Sequence, residues 1–179
     1  MKGFFLGVIT TIILGVAIVW GYLSLGMAPA ATSAPPMLFE KSLARMALHA
    51  HVNHEMPHQP PIQPTEVNYV AGARIYQEHC AVCHGLPGKE QTAIALGEFP
   101  KPPHLLRGKG VTDDEPGETY WKVANGIRLT GMPGFSKFLS TDQMWQVSLL
   151  LANADKLPPS ATAVLTTPTQ LEPAQPQRP

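Results

Sequence analysis

Cysteine is nearly absent from this chain: 179 residues hold two, Cys80 and Cys83. Net charge is absent altogether, with thirteen Lys and Arg against thirteen Asp and Glu. The stretch 66–157 is balanced as well, nine basic residues against ten acidic, so no basic stripe invites nucleic acid. Charge of any sign is missing from Gly3 to Met27, and no Lys or Arg follows Lys2 until Lys41. What the chain has in quantity is proline, nineteen residues concentrated between Pro29 and Pro64 and from Pro158 onward. Those stretches read as extended linkers, not core. Roughly 66–157 remains to bury a hydrophobic interior, which is little for a domain without an internal staple.

The uncharged run GFFLGVITTIILGVAIVWGYLSLGM is long enough to cross a hydrocarbon core as a helix of about 20 residues. Lys2 on its near side puts the N-terminus in the cytoplasm and the rest outside. A cleaved signal peptide competes, supported by the small residues of Ala28-Pro29-Ala30. The length of the run, with Trp20 and Tyr22 as an interfacial belt, favours an uncleaved anchor. Either way the two thiols face an oxidising compartment.

They occur as CAVCHG, Cys80 to Gly85. A simple disulfide, a redox-active pair, half a zinc site and a haem attachment all use such spacing. A thioredoxin-like pair needs a strand and helix pattern that is absent here. Zinc needs two further ligands, with only His79 and His84 at hand. Cys-x-x-Cys-His reads most directly as covalent haem attachment: Cys80 and Cys83 as thioethers to two vinyl groups, His84 beneath the iron. One haem c would also replace core side chains that so short a domain lacks.

Around this motif the periodicity predicts helices only. EVNYVAGARIYQEHC is helical, and Gly72 inside it implies that another backbone comes close. Ser140 with Gln143 opens a helix through MWQVSLLLANA as a capping box, and a crossing of the two helices at Gly72 is expected. ETYWKVANGI is a shorter helix stopped at Asn125-Gly126. In the loop LTGMPGF, Met132 between glycine and proline is the candidate distal ligand, whereas Met144 lies in a packing stripe and is read as core.

These residues resemble a class I cytochrome c, the small all-α His/Met monohaem fold. The resemblance rests on Cys80, Cys83 and His84; Gly72 and Tyr76; Pro103 and Leu105 in PPHLLRG; Trp121, Asn125, Gly126 and Ile127; and Gly131-Met132-Pro133. It implies that the Pro103 carbonyl holds the other nitrogen of His84, although Pro102 competes for that role. It also implies that Leu105 packs on the haem and that Val147 and Leu150 meet the first helix near Gly72 and Tyr76. Cofactor-binding residues are then Cys80, Cys83, His84, Met132, Pro103 and Leu105, with His84 and Met132 on the metal and no catalytic residue.

The expected organisation is an anchor over 1–27, a Pro/His-rich linker over 28–65, a cytochrome c domain over 66–157 and a disordered tail over 158–179. Within the linker, Leu43, Met46, Ala47, Ala50 and His54 form one face of an amphipathic helix over 39–55. His49, His51, His54 and His58 crowd its end. A solvated helix end, a metal site and a bis-His alternative to Met132 are the competing readings. Arg107 as a propionate partner and an acidic calcium site at Asp113-Asp114-Glu115 are weaker ones.

The function expected is electron transfer outside the cell inner membrane, on the periplasmic face, by a single-pass anchored carrier or a haem subunit of a respiratory or dehydrogenase complex. Its partners would be a quinol-oxidising complex, a dehydrogenase or a terminal oxidase. No constellation for substrate chemistry stands out, so the chain is not read as an enzyme. A small haem enzyme or gas sensor is the alternative, and it requires an open iron position.

Overall fold

A helix with one charge in its first position has no polar face to turn toward water. Helix α1 (Lys2–Ser24) accordingly buries none of its residues against the protein, as a helix made for hydrocarbon does. It is long and apolar enough to cross a membrane. The computed structural model describes residues 1–108 and 110–167, and among them every regular element is helical. Two units separate, Met1–Ala44 and Arg45 onward. Helix α2 (Glu40–Glu55) begins in the first and ends in the second.

The second unit carries the remaining helices. Thr65 caps α3 (Glu66–Ile75), its hydroxyl accepting from the Asn68 amide at 3.4 Å. The chain then widens into a π-helical turn, Tyr76–Cys80, and tightens again as α4 (Ala81–His84). Such insertions recur at functional sites. Three short helices follow: α5 (Ala93–Gly97), α6 (Pro116–Asn125) and α7 (Thr141–Ala152). Ser140 and Gln143 cap α7 reciprocally, the Ser140 amide donating to Gln143 Oε1 at 2.8 Å and the Gln143 amide to Ser140 Oγ at 3.3 Å.

The core lies where α3 crosses α7. A β-carbon at Gly72 would stand 2.7 Å from the Gln146 carbonyl carbon and 3.2 Å from Leu150 Cβ, so the crossing requires glycine there. Ala73, Tyr76, Val147 and Leu150 around it are sealed from solvent. Burial of a side chain the size of Val147 or Leu150 contributes about 1.5–3 kcal/mol. Helix α6 reaches the same core through Val123, and Tyr120 stacks on Trp145 of α7 with ring centroids 4.3 Å apart.

Two expectations need correction. Residues 158–167 are not a disordered tail: α8 (Pro159–Thr166) packs on α3, with Ala161 and Leu165 buried. Pro158 ends one segment as N-cap and Pro159 starts the helix at a position where its missing N–H costs nothing. The rest of that tail lies outside the described residues. The packing face of α2 also differs from the expected one. Leu43 and Met46 are exposed, whereas Val52 is buried. The residues from Arg45 into the 50s thus belong to the domain, not to a spacer.

Candidate functional site

Both cysteines and His84 sit on one tight stretch of backbone, the end of the π-helical turn and the single turn of α4. Gly85 ends that turn with φ +76°, a conformation that suits glycine. Its carbonyl accepts the Tyr76 hydroxyl at 2.8 Å inside the core. A β-carbon at Gly85 would also stand 2.8 Å from His104 Nε2. Glycine here therefore provides both the backbone turn and the space for the His104 ring.

Cys80 and Cys83 form no disulfide. Burial, then the neighbouring Cys83, pushes the Cys80 thiol up to about 12. Burial, then the hydrogen bond and charge of Glu98, pushes Cys83 up to about 11. With no metal beside them, both are therefore thiols at neutral pH. Among the described residues no group of three or more His, Cys, Asp or Glu side chains converges, so the further ligands that zinc needs are not brought to the pair.

His84 Nδ1 lies 2.8 Å from the Pro103 carbonyl oxygen. The competing Pro102 carbonyl is engaged elsewhere, accepting from Gln91 Nε2 at 3.3 Å. Burial lowers the His84 pKa against the opposing Pro103 bond and the Glu98 charge. A neutral imidazole donating from Nδ1 keeps its lone pair on Nε2, the form in which histidine binds a metal.

Met132 is half-buried against the core together with Cys80, Leu105, Leu106, Val111 and Phe135. Its loop is tied to the end of α6 by backbone bonds: Ile127 N–H to Met132 O at 3.2 Å and Phe135 N–H to Val123 O at 2.9 Å. The Met132 amide donates to Thr130 Oγ1 at 3.1 Å. A β-carbon at Gly126 would meet Met132 O at 2.8 Å, and one at Gly134 the Asn125 carbonyl. The glycines thus let the loop lie directly on the helix end, and Met132 sits at a position fixed by backbone.

The donor set suits haem. Two thiols two residues apart, a neutral imidazole with its far nitrogen spoken for, a thioether and a half-buried apolar rim are what covalent attachment and His/Met ligation require.

Two of the four histidines on and just after α2 have partners outside this site. His51 meets the edge of Trp121 at 5.5 Å and pairs with Glu55 at 3.3 Å. His58 pairs with Glu115 at 3.4 Å. Asp114 is committed to Lys122 at 3.7 Å. Arg107 is exposed.

The sequence alone gave no sign of Glu98. Thr92 Oγ1 donates to Val82 O at 2.5 Å and caps α5, with its hydroxyl accepting from the Ala95 amide at 3.2 Å. Ala95 is sealed beneath that helix. With α5 pinned to α4, the chain leaves it at Glu98, and Oε1 stands 3.2 Å from Cys83 Sγ.

Residues 67–149 match the family model described as cytochrome C oxidase, cbb3-type, subunit III. No curated protein matches the chain. Among solved structures it is similar to a chain of the reducing HAO-like protein complex of Kuenenia stuttgartiensis, at 29% identity and a TM-score of 0.48. That match covers 56% of this chain and 49% of the other, so it spans about half of the relative's length.

Proposed function

We propose that this chain, whose residues 67–149 form a class I c-type cytochrome domain, is a membrane-anchored monohaem electron carrier or electron-transfer subunit. Electron transfer and haem binding are what such a domain supports in general. The observation that carries the finer reading is the 2.8 Å contact between His84 Nδ1 and the Pro103 carbonyl, in the same turn as two unpaired thiols. Cys80 and Cys83 would hold one haem c covalently, His84 and Met132 would bind its iron, and Leu105 would belong to its apolar lining. Haem bound there supplies a one-electron couple between ferric and ferrous iron.

The chain's own part is to keep the ligands still. Pro103 fixes the His84 ring and raises its basicity. The backbone bonds from α6 hold Met132, so the same ligand set serves both oxidation states and little has to rearrange during transfer. A helix apolar enough to span a membrane supports single-pass anchoring. The lone Lys2 before it supports a periplasmic position for the domain. Its partners are redox proteins of a respiratory or dehydrogenase system, met through small contacts.

The test is the absorption spectrum of the purified ferric and ferrous protein beside Met132→Ala. The native protein shows the weak long-wavelength sulfur-to-iron band and binds no carbon monoxide, and the variant loses the band and binds carbon monoxide. A five-coordinate native spectrum would overturn the reading in favour of an enzyme or a sensor.

A further inference from the structure

Glu98 is an acidic side chain that meets both sides of this site. On one side its Oε1 accepts from the free Cys83 thiol at 3.2 Å, a bond that a thioether at Cys83 would not make although the carboxylate stays beside that sulfur. On the other, a β-carbon at Gly131 would lie 2.5 Å from Glu98 Oε2 and 2.7 Å from its Cδ. The carboxylate therefore occupies the gap between the attachment turn and the residue preceding Met132. It is half-buried, and its charge is felt at His84 as well as at Cys83. Its placement is built in: Thr92 pins α5 to Val82, and the chain exits α5 at Glu98.

We propose that Glu98 is a potential-setting residue, a fixed negative charge at the rim of the redox site that holds its reduction potential down. The inference rests on Cys83 being a haem attachment residue. The oxidised site carries one more positive charge than the reduced site, so a nearby anion stabilises the oxidised form and opposes electron uptake. Partial withdrawal from water strengthens this effect relative to a carboxylate in bulk solvent. Gly131 belongs to the same device, because any larger side chain there would push the carboxylate out of the gap.

The experiment is potentiometric titration of the full-length protein in detergent, native and Glu98→Gln, with haem staining on a denaturing gel and the sulfur-to-iron band recorded on the same samples. Glu98→Gln keeps the shape and removes the charge. Its midpoint potential is expected to rise while the covalent haem and the band stay unchanged. Glu98→Asp, with the charge kept but drawn back, is expected to shift less. Glu90→Gln, an exposed acid in the same stretch, is expected to shift least. A Glu98→Gln potential equal to the native one, with the band intact, overturns the proposal and leaves the electron-transfer reading standing. Absence of covalent haem in the native protein overturns both. Should Glu98→Gln fail to fold, Glu98→Asp decides: a raised potential supports the proposal and an unchanged one overturns it.

Discussion

Trp121 donates from its indole Nε1 to Glu55 Oε2 at 3.0 Å, joining helix α6 to the last residue of α2. Three further contacts lie along the same seam. His51 stands edge-on to the Trp121 ring, His58 pairs with Glu115, and Gly117 leaves room for the Pro57 carbonyl, which a β-carbon would strike. The region from His51 to His58 is thus a strap on the cytochrome domain.

Trp121→Phe keeps an aromatic ring, though a smaller one, and removes the donor. Because the bond is solvent-accessible, its loss is expected to cost about 1 kcal/mol or less of global stability. The local effect should be larger: amide hydrogen exchange over residues 50–58 is expected to quicken while exchange in α7 is unchanged. Equal exchange in both proteins would show that the strap does not depend on this bond.

Gly72→Ala is the sharpest test of the helix crossing. The new methyl would run into the Gln146 carbonyl and press on Leu150, and backbone does not yield as a flexible side chain does. Helix propensity alone would favour alanine by about 1 kcal/mol. The expected result is the opposite sign, a loss of at least about 1–3 kcal/mol in denaturant unfolding.

Much of this arrangement is legible in the sequence because it is local. The cap at Ser140, the stop at Asn125-Gly126 and the glycine at the crossing each declare themselves within a turn or two. The motif at Cys80 to His84 is contiguous, and the proline facing His84 could be narrowed to two neighbours. What the sequence does not disclose depends on tertiary partners. Val52, not the Leu43 and Met46 stripe, is the buried side of α2, and the neighbouring His51 and Glu55 are held by Trp121, some 70 residues away. Glu98 is an ordinary acid in a loop until α5 is pinned against Val82. Residues 158–167 look like linker by composition, yet α8 packs on α3 with Ala161 and Leu165 buried.

Tyr76 predicts a specific alkaline weakness. Its phenol is buried, and burial, with Cys80 adding to it, raises its pKa well above the ordinary 10.0. The neutral form donates to the Gly85 carbonyl. With the folded value above the unfolded one, this contribution is whole below about pH 10 and is lost as pH rises beyond it toward the folded value, by up to about 1.4 kcal/mol per pH unit. Tyr76→Phe should cost about 1 kcal/mol at pH 8 and show a shallower decline between pH 10 and 11. Parallel declines in denaturant unfolding would assign the weakness to other groups.

Helix α8 gives the clearest contrast between composition and structure. Its eight residues, PSATAVLT, carry no charge and begin on the second proline of a pair, and nothing in that string demands a folded partner. Yet Leu165 is 2% exposed and Ala161 is fully covered. Gln77 Nε2 donates to the Val164 and Thr167 carbonyls at 2.6 and 2.8 Å, and the Ser160 hydroxyl donates to Glu66 Oε1 at 2.5 Å. The two Gln77 bonds satisfy carbonyls at the helix end that would otherwise lack partners. A short helix is unstable alone, so its order must come from this docking. Leu165→Ala is therefore expected to lower unfolding stability by about 2–4 kcal/mol, and a chain ending at Leu157 should lose at least as much. A loose tail would show neither loss. Because α8 leans on α3 just ahead of the π-helical turn, the truncated chain should also open that turn, seen as faster amide exchange at residues 76–80.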